Sequence, residues 1–278
     1  MTVGLASLLP DTSALILDRR GSVLYIWLNR PEAKNALSQE MTEELSATLS
    51  AVQDDRSIRT IVLRGKGGVF CAGGDIKSFK SSMQQVDAAS VAKGNRSFGY
   101  LMTQLNEQPQ VVVILIEGAA IGGGLGLACV ADVTLVTADA CFRLSETSLG
   151  IPPAQIAPFV TERVGLTQAR RLMLTGARFK GSEAVLLGIA HAVADDVADL
   201  EAQCAAILDN ISACAPGANA VTKSILFETL RAPRAQALDF AADGFARCML
   251  SAEGLEGVAA FVDKRKPNWA IEPSQESQ

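Results

Sequence analysis

Phe70-Cys71-Ala72-Gly73-Gly74-Asp75-Ile76-Lys77, read together with Ala120-Ile121-Gly122-Gly123-Gly124 further along, is the stretch on which the fold turns. Each run sets glycines where an apolar strand gives way to a loop or a helix. Such turns leave backbone N–H groups without strand or helix partners and aim them at a ligand. Two N–H groups converging on one point stabilise a negative oxygen as it develops. Taken singly, each run reads more often as a tight connection than as a catalytic one.

Working outward, Val23-Leu24-Tyr25-Ile26-Trp27-Leu28 has strand composition and ends at an Asn29-Arg30-Pro31 loop. Ser38 is placed to cap a helix whose Met41, Leu45 and Leu49 share one face. Thr60 to Leu63, Val111 to Ile116 and Val133 to Val136 are apolar runs suited to strands covered on both sides. The alternation predicts an α/β fold. From about Asp199 the strand signal ends. Leu200 to Ser212, Asn219 to Leu230 and Arg234 to Met249 read as helices, separated by Ala215-Pro216-Gly217 and Ala232-Pro233. The expected division is a core at 1–198 and a helical region at 199–278.

The 278 residues, 49% hydrophobic, suffice for one large core or a core with a helical appendage. A formal charge of −5 and a pI of about 5.1 argue against a nucleic-acid partner, so an anionic ligand needs local basic residues. No apolar run approaches a membrane span, and the N-terminus lacks a secretory pattern; a soluble cytoplasmic protein is expected. Six cysteines (Cys71, Cys129, Cys141, Cys204, Cys214, Cys248) form no CxxC pair or zinc spacing and read as reduced, mostly buried residues. The single histidine, His191, lies in an Ala/Val-rich stretch and reads as structural, which argues against a histidine triad or a multi-histidine metal site. Proton transfer then falls to a carboxylate.

Three further motifs join the glycine runs: Asn29-Arg30-Pro31-Glu32-Ala33-Lys34-Asn35-Ala36-Leu37, Ser145-Glu146-Thr147-Ser148-Leu149-Gly150-Ile151, and Ala260-Phe261-Val262-Asp263-Lys264-Arg265-Lys266-Pro267. In order and spacing the chain resembles the crotonase (enoyl-CoA hydratase/isomerase) superfamily, from about residue 15 to residue 269. The resemblance implies a crotonase (ClpP-like) spiral of ββα units whose C-terminal helical region packs against other subunits of a trimer or a dimer of trimers. It also implies an acyl-CoA thioester as substrate, with CoA part of that substrate and neither metal nor redox cofactor. Gly74 and Gly123 fall at the two oxyanion-hole positions, and Glu146 at that of a proton-transferring glutamate. A carboxylate enclosed by apolar residues such as Leu149 and Ile151 would have a raised pKa.

The CoA moiety maps to the backbone of Ala72, Gly74, Asp75, Ile76 and Gly123, with Arg30, Lys34 and Lys77 placed to meet phosphates. Phe261 and Lys264 are implied to reach the CoA of a neighbouring subunit, although Lys264-Arg265-Lys266 reads also as a solvated basic tail. The segment from Phe79 to Phe98, with Ser81, Ser82, Gln84 and Gln85, is implied as the wall of the acyl pocket; its composition suits a plain surface helix equally.

One position departs from the pattern. Typical hydratases carry their first glutamate two residues after the glycine triplet, where this chain has Gly126. Three readings follow: hydration by Glu146 alone, double-bond isomerisation by the same carboxylate, or a non-catalytic protein binding acyl-CoA or RNA. The loop from Gly150 to Phe159, leading into Gly165-Leu166-Thr167-Gln168, is similar to that of bacterial hydratases of branched glutaconyl-CoA thioesters, of the isohexenylglutaconyl-CoA and methylglutaconyl-CoA type. Hydration is therefore the preferred reading. Gly126 is expected to leave room for the branch, and Gln155 or Arg143 to meet the second carboxylate.

Overall fold

Residues along the apolar runs alternate between two cores, and this alternation builds the molecule. The computed structural model describes residues 9–76 and 87–270. In chain order its elements are β1 (Leu15–Arg20), β2 (Val23–Leu28), α1 (Gln39–Val52), β3 (Thr60–Gly65), α2 (Ala88–Asn106), β4 (Val111–Ile116), β5 (Ala119–Ile121), α3 (Gly123–Val130), β6 (Val133–Thr137) and β7 (Cys141–Arg143). There follow α4 (Ala157–Thr175), β8 (Arg178–Lys180), α5 (Gly181–Leu186), β9 (Ala192–Ala194), α6 (Val197–Ser212), α7 (Pro216–Arg231), α8 (Arg234–Met249) and α9 (Ala252–Val262).

A six-stranded sheet runs β1-β2-β3-β4-β6-β9, and a three-stranded sheet runs β5-β7-β8. Only β1 of the large sheet is antiparallel to its neighbour. The strand period of two sends Leu24, Ile26, Ile61, Leu63, Ile114 and Ile116 into the main core beneath α1, α2 and α3. Val62, Val113, Leu115 and Leu135 go to the opposite face, against Leu200 and Cys204 of α6. This is why the strands read as continuous apolar runs.

Each turn of the chain places one strand in the large sheet and the next short segment in the small one. β4 hands over to β5 and then α3; β6 hands over to β7 and, after a 3-10 turn, to α4. After β3, Cys71 makes a parallel bridge to Ala120 of β5, extending the small sheet by one more segment. The ββα spiral that the resemblance implies is thus present. Ser38 caps α1 by accepting the Met41 N–H, and Met41, Leu45 and Leu49 are buried on one face.

The helical region is fastened to the sheet by a buried lysine. Lys223 of α7 donates to the carbonyls of Gln108 and Gln110 at 2.7 Å each and pairs with Asp132 at 2.5 Å. Burial lowers its pKa, opposed by Asp132. Beyond it, α9 ends in a folded-back tail: Arg265 grips Glu256, Asn268 N–H donates to the same carboxylate, and Trp269 Nε1 donates to the Ala213 carbonyl. Among the described residues no helix is long and apolar enough to cross a membrane.

Candidate active site

The site is built around the segment Cys71 to Asp75, which runs between two others as a short strand. On one side, Ala72 N–H donates to the Lys34 carbonyl, Leu37 N–H to the Gly73 carbonyl, and Asp75 N–H to the Leu37 carbonyl, at 3.0, 2.8 and 3.1 Å. On the other, Cys71 N–H donates to Ala119 and Cys71 C=O accepts from Ile121, both at 2.9 Å. Because Gly73 and Asp75 turn their ladder groups to Leu37, the Gly74 N–H between them faces the other way, toward the glycines that follow β5.

Gly123 opens α3, where the first N–H groups of a helix have no intrahelical acceptor. Neither the Gly74 nor the Gly123 N–H donates to an acceptor among the described residues. The two glycine runs interlock: a Cβ on Gly73 would lie 2.9 Å from the Ile121 carbonyl, and one on Gly124 would lie 2.7 Å from Cys71 Cβ. The Cys71 thiol sits at this junction, accepting the Gly73 N–H at 3.4 Å, and burial pushes its pKa up to about 12, so it stays neutral beside the two donors. The positive end of α3 adds to the attraction for an oxyanion.

Glu146 stands at the start of a 3-10 turn, Glu146–Leu149, closed by Gly150 in the left-handed region. Its carboxylate lies against the backbone of Gly122, whose φ of 51° suits glycine and whose absent Cβ would fall 2.7 Å from Oε1. Oε2 is buried with no hydrogen-bond partner among the described residues. Burial raises the pKa of this carboxyl, partly offset by the backbone N–H groups of Glu146 and Ser145. The enclosure differs from expectation: Leu149 and Ile151 are 54% and 45% exposed, so the main-chain approach of Gly122 takes the place of an apolar cage. A carboxylate so placed, next to two backbone donors, can accept a proton and return it.

The first turn of α3 after its Gly122 cap is lined by side chains the sequence did not single out. A Cβ on Gly123 would meet Leu37 Cδ1 at 2.9 Å and the Phe98 ring at 3.3 Å. One on Gly126 would meet Ile156 Cγ2 at 2.4 Å and Met102 Cε at 3.4 Å. The expectation that Gly126 leaves room for a branched substrate is therefore corrected: Ile156 already fills the space.

The loop motif around Arg30 is held by Asn35, also missed. Fully buried at a φ of 54°, it accepts the Arg30 N–H and donates to the carbonyls of Lys66 and Val69 at 2.9 and 2.6 Å. Arg30 donates to Asp75 at 3.0 Å and to the Ala36 carbonyl at 2.8 Å, which fixes the end of the Gly74 segment. Lys34 and Ile76 are exposed beside it, and Ala72 is part of the ladder; Lys77, Ser81, Ser82, Gln84 and Gln85 lie outside the described residues. Arg143 donates to the Gly176 carbonyl and to Ser148, while Gln155 contacts Arg96 and Asn95 of α2, so both side chains have protein partners. Phe261, 86% exposed, lies in the last turn of α9 and Lys264 just beyond it, on elements other than those that carry the glycine runs. His191 lies apart, its Nδ1 accepting the Thr134 N–H at 3.0 Å.

Comparison with known proteins identifies the family and the fold. The sequence matches the profile described as Enoyl-CoA hydratase/isomerase over residues 18–272. AtuE of Pseudomonas aeruginosa superimposes with a TM-score of 0.91 at 51% identity, covering 93% of this chain and 100% of that one. A probable enoyl-CoA hydratase of Bacillus subtilis is 32% identical over 92% of this chain and 97% of its own length. The peroxisomal Delta(3,5)-Delta(2,4)-dienoyl-CoA isomerase of Arabidopsis thaliana is 30% identical over 90% of this chain and 93% of its own.

Proposed function

The chain belongs to the enoyl-CoA hydratase/isomerase family, and from that premise we propose that it adds water across the C2=C3 bond of an enoyl-CoA with Glu146 as its one carboxylate. The observation that carries the reading is the buried Oε2 of Glu146, without a hydrogen-bond partner among the described residues, beside the N-terminus of α3. The thioester oxygen would take hydrogen bonds from the Gly74 and Gly123 N–H groups. Glu146 removes a proton from water as the water oxygen bonds to C3, and the electron pair of the double bond moves onto the thioester as an enolate. The same carboxyl then delivers that proton to C2, restoring the carbonyl and leaving a 3-hydroxyacyl-CoA. The N–H donors hold the charge while it exists.

We further read the substrate as branched or carboxylated, of the isohexenylglutaconyl-CoA kind, on the likeness of the loop after Glu146. Ile156 limits where a branch fits, and a second carboxylate would have to draw Gln155 or Arg143 from its present partners. The CoA moiety is assigned to the backbone of Ala72, Gly74, Asp75, Ile76 and Gly123, with Lys34 near the phosphates. Leu238, Phe245, Leu250, Leu255 and Phe261 of the helical region are exposed, an apolar surface that suits self-association as a trimer or a dimer of trimers. Free thiols throughout suit the cytoplasm.

A second reading, isomerisation, is favoured by Gly126: with no other carboxylate there, Glu146 alone would take a proton from C2 and return it at C4. Incubation in oxygen-18 water separates the two. Heavy oxygen in a 3-hydroxyacyl-CoA formed from crotonyl-CoA or a glutaconyl-CoA supports hydration. Conversion of a 3-enoyl-CoA to a 2-enoyl-CoA without label, and no hydration of any of these thioesters, overturns it.

A further inference from the structure

The loop that follows Glu146 enters the core through two notches, each made by a missing side chain. Gln155 reaches over Gly99 of α2, its Oε1 2.0 Å from where a Cβ would stand, and Ile156 reaches over Gly126 of α3 at 2.4 Å. Ile156 is 3% exposed and begins α4, its carbonyl accepting the Val160 N–H at 3.0 Å. Gly122 is the cap of α3, and its carbonyl accepts the Gly126 N–H at 3.0 Å, so the two residues lie one turn apart, about 6 Å along the helix axis. Glu146 packs against the first of these residues and Ile156 against the second, so Ile156 stands about one helical turn along α3 from the carboxylate's contact. Met102 Cε closes the same place from α2, one helical turn after Phe98, whose ring approaches Gly123.

We infer that Ile156 sets the acyl-group selectivity of this site, occupying from another element the volume that a side chain on residue 126 would fill. It supplies a stiff, β-branched wall where the acyl group continues past C3. Position 126 thereby changes from a place for a second carboxylate to a dry apolar surface, and the size of one side chain decides how much acyl group fits there. The inference rests on the proposed use of the Gly74, Gly123 and Glu146 cleft for an acyl-CoA. It does not depend on whether the reaction is hydration or isomerisation.

The test is equilibrium binding of butyryl-, isovaleryl- and hexanoyl-CoA to the purified full-length protein by calorimetry, for wild type, Ile156→Ala and Val160→Ala. Val160 is equally buried one turn along α4 and controls for general loosening. Removing one carbon from a pocket wall typically changes discrimination by about 10-fold or more. In Ile156→Ala the affinity for isovaleryl- or hexanoyl-CoA, relative to butyryl-CoA, should rise at least about 10-fold, and in Val160→Ala it should not move. An Ile156→Ala protein that keeps its assembly state and the wild-type ratio within a factor of about two overturns the inference, as does an equal shift in Val160→Ala. Should Ile156→Ala fail to fold, Ile156→Val and Met102→Ala are read in its place, with a smaller shift in the same direction expected and no shift overturning it. Saturated thioesters undergo neither reaction, so failure here leaves the oxygen-18 result standing. Absence of label there leaves this ratio just as readable, and failure of all three thioesters to bind wild type would sink the acyl-CoA reading itself.

Discussion

Substituting Gly126 by alanine should destabilise this protein, although it lies inside a helix where alanine is ordinarily the better residue. Gly→Ala in a helix interior gains about 0.5–1 kcal/mol from lost backbone freedom in the unfolded chain. Against that, the new Cβ would stand 2.4 Å from Ile156 Cγ2, an atom on the branched carbon of a buried side chain that cannot swing away. Overpacking of this kind costs about 1–3 kcal/mol, so the net loss is about 1–2 kcal/mol and the fall in melting temperature about 2–4 °C. The sign should reverse once the clash is removed. Ile156→Ala alone costs about 2–5 kcal/mol, but leaves only a Cβ at 3.0 Å, which a small shift relieves. In that background Gly126→Ala should stabilise by about 1 kcal/mol, giving a coupling of about 2–3 kcal/mol, well above the scatter of independent sites. The assay is thermal and urea unfolding of the four proteins at one fixed concentration, since self-association would make the midpoint depend on it. Equal stabilisation by Gly126→Ala in both backgrounds would refute the packing argument outright.

Glu146→Gln should lower turnover by about 10²- to 10⁴-fold with the fold intact, as checked by product formation and circular dichroism. Because burial raises the Glu146 pKa, its ionised form weakens the folded state as pH climbs through the raised value, and that penalty is absent below the ordinary carboxylate range. Glu146→Gln should therefore melt higher than wild type at pH 8 and no higher at pH 4; a constant difference between the two would contradict the shift. Activity needs the ionised base, so the acid limb of kcat/KM should lie above the ordinary carboxylate range. Gly123→Pro removes one donor at a helix position where proline is tolerated and should cost about 10²- to 10³-fold in kcat, while Gly123→Ala, which keeps the N–H, should retain more. Asn35→Ala breaks three buried hydrogen bonds at a positive φ and should destabilise by about 2–4 kcal/mol, measured by urea unfolding.

How much of this was legible in the sequence differs by element. β2, β3, β4 and β6 announce themselves as apolar runs, and Ser38 with Met41, Leu45 and Leu49 announces α1, because period and capping are local properties. β5, β7, β8 and β9 are three residues each, too short to carry a period, and exist because neighbouring strands present ladder groups to them. The helix α9 was not read from its pattern, since Gly254 and Gly257 lower its propensity. Ser251 caps it, and Trp269 packs over Gly257. At the site, the motifs mark Gly74 and Gly123 as candidate oxyanion donors and Glu146 as the candidate base, and the fold brings their segments together. Asn35 was in plain view within a motif, but its work is done at Lys66 and Val69. A glycine at 126 says that a side chain is missing, not what has moved into its place; Ile156 arrives from another element, and no local signal marks it.

The Lys223 contact has a consequence for how the chain comes apart. Its ammonium is the shared partner of the Gln108 and Gln110 carbonyls and of Asp132, which also accepts the Val112 N–H at the start of β4. If α7 peeled away, those acceptors would be left without their cation at the mouth of the central sheet. With α6 covering the second face of that sheet, frame and appendage should melt in one transition. The glycine cleft inherits the cooperativity of the whole chain: damage to the far helices is felt as loss of the sheet that aims its N–H groups.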